Sequence, residues 1–329
     1  MIQLERRNQI RKWGIHLAGI IPVSGYDDNF GFDWHDCLMP IGDRFTIIER
    51  AVVELAYAGA NTIWIICNDD IQPLIKFRLG DWARDPLYLK NHYISGRTER
   101  EITERTIPIY YIPMGLKHLK RRDSMAWSII YGALVASRIS RKLSKWVAPH
   151  KFYVSFPMSM YPPGIVIKHR SEIKRKKRVF MSYEGKTVKD NKLLGFSFDY
   201  DDFMLLKRNF YKEERLLFTS ENMIDGFPVE KLKKDERYTG KSFTLKDVFD
   251  QLTLEENEEE VLVDVPWFFE INNWDSYCEF LSTPYRKKVK KPRNYVINKY
   301  EPKRGTSLYR SFNSIGEDCD ENEGDDEDE

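Results

Sequence analysis

Four aspartates, Asp27, Asp28, Asp33 and Asp36, crowd a loop that follows the apolar stretch "AGIIPVSG" at residues 18–25. The stretch reads as a buried strand, and Ser24 and Gly25 mark a turn whose backbone N–H groups can face a phosphate. Yet no Lys or Arg occurs between residue 14 and Arg44. A phosphate cradle needs donors and positive charge, so the residue types contradict the layout. The aspartates, with His35, could gather a divalent cation of their own, or they could form a solvated acidic turn. Asn68, Asp69 and Asp70 pose a similar choice, because they follow the apolar run "NTIWIIC" at residues 61–67. They stand either at the ligand-binding edge of a sheet or at the start of the next helix.

Positive charge to replace what the loop lacks would come from Arg44, Lys76, Arg78, Arg121 and Arg122, unless these are ordinary exposed helix residues. "YVSFPMSMYPPG" (153–164) either lines a sugar or base pocket or packs under a loop. His16, His92, His118, His150 and His169 have neither metal-ligand spacing nor a Ser or Cys partner, and Cys37, Cys67, Cys278 and Cys319 lie too far apart for a zinc knuckle or a disulfide framework. Trp267, Phe268 and Phe269 read as core.

The elements that must position these residues alternate between periods of 2 and 3.6, the pattern of an α/β sheet. Strands are expected at 15–23, 61–67, 107–114 and 151–157. A helix N-capped by Asp43 carries the stripe Phe45, Ile48, Val52, Leu55 and Ala56 and stops at Gly59. A short helix follows residue 68, and a long one spans 124–143. In the second half, strands are expected at 179–183, 195–199 and within "EEVLVDV", and helices at 202–213, 245–252 and from about Asn273.

Composition fits a globular protein: 42% of residues are hydrophobic and 14% aromatic. No apolar run reaches the ~20 residues of a membrane helix, and the N-terminal sequence lacks a signal-peptide core, so a cytoplasmic protein is expected. The net charge of +1 conceals an asymmetry, since residues 316–329 hold ten acidic and no basic residues and the remainder carries +11. Such a tail repels itself and is expected to be disordered. Basic runs at 168–178 and 285–293 could bind a polyanion or a protein, or the tail could fold back on them. The expected organisation is one domain at 1–285, a basic linker at 286–315 and the acidic tail at 316–329.

"AGIIPVSG" followed by "CLMPIGDRFTIIERAVVELAYAGANTIWIIC" resembles the opening of the sugar nucleotidyltransferases of the GT-A fold. "RLGDW" (78–82), "DSMAWSIIYG" (123–132) and "WFFEINNWDSYCEFL" (267–281) match later family segments in the same order. The resemblance implies an α/β, GT-A-like three-layer fold with a mixed, mostly parallel sheet. It also implies transfer of a nucleotidyl group to a sugar phosphate with release of pyrophosphate, a reaction catalysed by positioning and charge neutralisation with Mg²⁺. Residue by residue, Ser24 and Gly25 match the phosphate loop, and Trp127 stands where the family has a base-contacting polar residue, so that base recognition would be by stacking; Asn68 and Asp69, placed at the sheet edge by the strand before them, are the further nucleotide-contact candidates. Asn272 matches one metal position. Pro157 stands where the family has a metal aspartate, and Asp36 where it has its signature lysine. On this resemblance Asp36 and Asn272 would share the metal, while Arg44 or Arg122 would steady pyrophosphate. Two rivals stay open: an inactive scaffold of the same fold that binds partners through its charged segments, and a glycosyltransferase using Asp199 and Asp201 of "FDYDDF" as its Asp-x-Asp pair.

Overall fold

The uninterrupted apolar runs at 17–22 and 62–67 become neighbouring strands buried on both faces, as parallel strands under helices must be. The computed structural model describes residues 15–25, 30–32, 34–42, 44–87, 106–143, 148–220, 223–224, 227–228, 240–252 and 260–292. Asp27, Asp28, Asp33, Asp43, His92, Cys319, the linker from residue 293 and the acidic tail lie outside them. Among the described residues the main sheet has eight strands: β1 (Leu17–Pro22), β2 (Thr62–Cys67), β3 (Trp82–Arg84), β4 (Thr106–Pro113), β5 (Lys151–Val154), β6 (Arg178–Ser182), β7 (Phe196–Asp199) and β8 (Glu260–Asp264). Their spatial order is β8-β6-β7-β5-β1-β2-β4-β3. Only β7 and the edge strand β3 run against the others, so the sheet is mixed and mostly parallel.

Six helices matter for the site: α1 (Ile47–Ala58), α2 (Gln72–Leu79), α3 (Leu116–Arg122), α4 (Met125–Leu143), α5 (Tyr200–Ser220) and α6 (Trp274–Ser282). Successive residues of β1 face opposite sides of the sheet. A Cβ on Gly19 would meet Leu55 of α1, while Gly132 of α4 sits close against Ile20 and Ile66. Helices therefore cover both faces, giving the expected three layers.

The helix after the acidic loop begins later than its sequence suggests. Its N-cap is Thr46, not Asp43, in a capping box with Glu49, whose carboxylate accepts the Thr46 N–H at 2.8 Å. A Thr three residues before Glu satisfies two end donors reciprocally, a geometry Asp43 is too far back to reach. Gly59 closes the helix in the left-handed region at φ 82°, as expected. Strand β3, helix α3 and the full extent of α5 had no clear periodic signal. Core packing continues to Val289, which is 2% exposed, and so reaches past residue 285.

Candidate functional site

Because β1, β2, β4 and β5 are parallel, their carboxyl ends lie along one edge. Ile20 pairs with Val154, Pro22 with Ile66 and Cys67 with Pro113. Such an edge is where open α/β sheets collect ligands. After β1 the chain is held by two N–H groups, of Val23 and Ser24, that share the Ile66 carbonyl at 2.8 and 3.0 Å. The Ser24 hydroxyl then donates to Asn68 Oδ1 at 2.7 Å, joining the first two strand ends. From α4, the Ser128 hydroxyl donates to the Ser24 carbonyl at 2.8 Å. Gly25 turns away at φ +88° directly against the start of α4, and a Cβ there would stand 2.4 Å from the Met125 nitrogen. Only glycine serves both requirements. Ser24, Gly25, Asn68 and the α4 N-terminus thus meet at one point.

The late aromatic segment reaches the same edge. Phe269–Glu270 pairs antiparallel with Ser159–Met160, and the Ile271 N–H donates to the Met158 carbonyl at 2.8 Å. Helix α6 in turn packs on the first loop. The Trp274 Nε1–H donates to the Phe30 carbonyl at 3.3 Å, and the Tyr277 hydroxyl donates to the Pro40 carbonyl at 2.5 Å. The two halves of the sequence resemblance are therefore neighbours in space, and Pro157 and Asn272, which the resemblance alone sets at metal positions, come from adjoining segments.

Charge is distributed differently from expectation. Arg122, expected to steady pyrophosphate, is 7% exposed and grips Glu214 through two bonds of 2.8 Å. Its guanidinium stacks over Trp127 at 4.8 Å and Tyr211 at 5.0 Å. Arg121 also approaches Glu214, Arg78 is bound to Glu49 at 2.6 Å, and Lys76 pairs with Asp81. The arginines are committed to carboxylates because their helices pack against acidic neighbours, a fact invisible in one dimension, whereas Lys76 and Asp81 meet at the surface, both about half-exposed. Arg44 is exposed, but it lines a separate basic groove with residues 281–292. Trp127 is fully buried between His118, Phe210 and Tyr211, so it presents no ring face on which a base could stack.

Asp36 is 4% exposed and opens the short turn Asp36–Leu38, where His35 Nδ1 accepts the Cys37 N–H at 3.1 Å. His35 thus acts here as a cap. Burial, followed by the Cys67 and Asp36 charges, pushes the Cys37 thiol well up, which places this turn near the end of β2. Burial, with Asp69 and Asp70 nearby, pushes the Cys67 thiol up to about 12. Both thiols are inert at neutral pH. Asp69 and Asp70 are exposed, and the Asp70 carboxylate accepts the Ile71 N–H at 2.9 Å. The Asn68 side chain serves Ser24, while its carbonyl accepts the N–H of Gln72, the first residue of α2, at 3.1 Å.

The residues at the metal positions do not build a Mg²⁺ site. Pro157 has no side-chain oxygen, and the Asn272 amide donates to Glu270 Oε1 at 3.0 Å, leaving one neutral oxygen. Among the described residues no group of three or more His, Cys, Asp or Glu could hold a metal ion. Mg²⁺ asks for an octahedral oxygen shell with carboxylate or phosphate members. The Asp199–Asp201 pair is displaced altogether. Because β7 is antiparallel, Asp199 pairs with Lys151 at the start of β5, on the opposite edge of the sheet. There the Asp199 carboxylate accepts the Asp202 N–H at 2.8 Å, and Asp202 takes a two-bonded grip from Arg178.

One polar cluster escaped sequence reasoning. Arg50 and Glu54, one helical turn apart in α1, are fully buried with Arg50 Nη2 2.9 Å from Glu54 Oε2. Glu54 also accepts the hydroxyls of Tyr153 and Ser155 at 2.7 Å each, and that of Tyr161. Arg50 donates to the Phe156 carbonyl and to Ser159 Oγ at 3.3 Å. Burial alone would lower the Arg50 pKa, but the Glu54 charge outweighs it and holds the guanidinium ionised. Tyr153 is pushed up by burial and by Glu54. The cluster fixes the backbone from Ser155 to Tyr161, the floor of the edge beside Pro157. Its one sequence signal is a pair of opposite charges, i and i+4, inside an otherwise apolar helix stripe.

No protein-family model matches the sequence, and no curated protein does. Solved structures do match. A protein assigned as a glucose-1-phosphate thymidylyltransferase from Bacillus anthracis, solved with sucrose, is 11% identical, with 81% of this chain and 94% of that one covered at a TM-score of 0.50. The chain has the nucleotidyltransferase fold. A nucleoside-diphosphate-sugar pyrophosphorylase from Vibrio cholerae RC9 is 12% identical, covers 80% of this chain and 100% of its own, and has a TM-score of 0.45. A UDP-glucose pyrophosphorylase complexed with UDP-glucose is 14% identical, covers 83% and 99%, and has a TM-score of 0.47. No helix among the described residues is long and apolar enough to cross a membrane.

Proposed function

We propose that this nucleotidyltransferase-fold protein binds a nucleotide or nucleotide sugar along the carboxyl edge of β1, β2 and β5, using Ser24, Gly25 and Asn68 as its polar contacts. The observation that carries this reading is the seating of Gly25, at positive φ, against the N-terminus of the 19-residue helix α4. A helix start brings N–H groups and a partial positive charge to a point where a phosphate is otherwise short of donors, although the Trp127 N–H is capped by Ser124 Oγ at 3.3 Å and the Asp123 carboxylate lies 3.5 Å from the Ser24 hydroxyl. Asp69 at the β2 end would face the sugar or base rather than the phosphate. Asp36 is buried and acidic, Arg44 lines the basic groove and Arg122 is bound to Glu214, so this reading gives none of the three a catalytic role. Mg²⁺ would enter with the phosphates of its ligand, Asn272 offering one oxygen.

A second reading is favoured by the commitment of Arg78, Arg121 and Arg122 to carboxylates. Nucleotidyl transfer needs neutralisation of the negative charge on the transferred phosphoryl group, and these cations are spent elsewhere. On that reading the protein binds its ligand without turning it over. The experiment mixes the full chain with each nucleoside triphosphate, Mg²⁺ and sugar 1-phosphates and assays pyrophosphate, with calorimetry of nucleotides and nucleotide sugars alongside. Binding with pyrophosphate release supports transfer, and binding without release supports the second reading. No heat with any nucleotide or nucleotide sugar overturns both.

A further inference from the structure

The two basic runs of the sequence have different fates in the fold. The first is consumed in part: Arg170 pairs with Asp85 at 2.6 Å, Arg178 with Asp202 at 2.6 Å, and His169 with Glu172, while Lys168 and Arg175 stay exposed and line no groove with the second run. The second lines a groove of about 900 Å³ between the turn at 41–45 and residues 281–292. Arg44, Arg286, Lys287, Lys290 and Lys291 contribute to its walls, and none of its described lining residues is acidic. Arg44, Arg286, Lys287 and Lys290 form no ion pair with a carboxylate among the described residues. The basic wall is anchored, because the short helical turn Pro284–Lys288 ends on Val289, which is 2% exposed and donates its N–H to the Arg286 carbonyl at 3.1 Å. Cations fixed at this density repel one another, and an anionic occupant relieves that repulsion.

We propose that this groove is the docking site for the chain's own acidic segment, residues 316–329. Its ten carboxylates complement the five cations in sign, and it contains no aromatic residue, so charge is what it has to offer. The tether argues for this occupant over an external polyanion. The described chain ends in the groove wall at Pro292, and residues 293–315 join it to the acidic segment. At ~3.4 Å per extended residue such a connection needs only a fraction of its reach to return. Tethering also sets an effective concentration on the order of millimolar. An external anion must displace the segment to enter, so its binding depends on the strength of this pairing and on salt.

Three measurements on full-length chains test this. Zero-length carbodiimide cross-linking at low ionic strength, on an equal mixture of isotopically light and heavy protein, is expected to join Lys287, Lys290 or Lys291 to acids of 316–329 within one chain. These links should fall at least severalfold in 0.5 M salt, where charges are screened beyond ~4 Å. A full-length variant with the ten tail acids replaced by Asn or Gln should bind a labelled peptide of sequence 316–329 saturably, and at least tenfold more tightly than the wild type does. Adding Lys287→Glu and Lys290→Glu, both exposed positions, should abolish that gain without changing the circular dichroism. A short double-stranded DNA should likewise bind the tail-neutral variant at least tenfold more tightly than the wild type. The proposal is overturned by links that are absent, that form only between chains, or that run to residues 168–178 instead. Equal binding of the peptide or of the DNA to both proteins also overturns it.

Discussion

Glu54→Gln isolates what the buried cluster under the site contributes. In the native protein the Arg50 guanidinium is 0% exposed, and Glu54, also 0% exposed, is the carboxylate beside it at 2.9 Å. The substitution preserves volume and one acceptor for the tyrosine hydroxyls while leaving the cation uncompensated. Breaking a buried pair from one side costs ~3–5 kcal/mol, because the remaining charge keeps its desolvation penalty. With a urea slope of about 2–3 kcal/mol per molar, the unfolding midpoint should fall by roughly 1–2 M. Equilibrium urea unfolding followed by tryptophan fluorescence measures it. The double variant Arg50→Met with Glu54→Gln removes the orphaned charge and should recover part of the loss, a coupling that a cycle reads directly. A midpoint shift below about 0.3 M for Glu54→Gln, or a double variant weaker than the sum of the single ones, refutes the argument.

Gly25→Ala should cost several kcal/mol by the same assay and abolish nucleotide binding, since its Cβ would stand 2.4 Å from a backbone nitrogen at φ +88°; a midpoint close to wild type would contradict the close packing. His16 is held at about 4, below its usual 6.5, by burial first and then by His150 and Lys174. The folded state binds that proton less well than the unfolded one, so the contribution is complete above pH 6.5 and lost as pH falls toward 4. Between pH 7.5 and 4.5 the wild type should lose about 2–3 kcal/mol more stability than His16→Gln, and equal losses would exclude this origin. Lys151 is lowered to about 7 from 10.5, by burial against the opposing pull of Asp199 and Asp202. Its contribution is complete above pH 10.5 and is lost as pH falls from 10.5 toward 7, so wild-type stability should rise by about 2 kcal/mol more than that of Lys151→Met between pH 7 and 9. Thr46→Ala should cost about 1 kcal/mol through loss of the capping box; an unchanged midpoint would deny Thr46 the N-cap role.

The strands and helices that build the edge were legible because their patterns are local. Six-residue apolar runs at 17–22 and 62–67 have no state other than burial on both faces, and Gly59 and Asn273 announce a helix end and a helix start through chemistry within one turn. The three-residue strand Trp82–Arg84 was not legible, because a single edge pairing with β4 defines it. Helix α3 escaped for a related reason, as a seven-residue element with Leu116 exposed carries too little period to detect.

Residue types alone determined that the loop after β1 is acidic and that the cations lie elsewhere, and Pro157 offers no side-chain ligand whatever its place in the resemblance. Those are properties of identity and order. The tertiary structure decided which charges are already spent. Arg122 finds Glu214 across 92 residues, Arg178 finds Asp202, and Glu54 collects hydroxyls from a strand about a hundred residues away. It also sent Asp199 to the far edge, since the direction of β7 is set by its pairing with β5 and not by its own residues. Electrostatic energy depends on distance and burial, and sequence separation specifies neither, so the same cations that read as an anion site in one dimension become, in three, internal ion pairs and a separate basic groove.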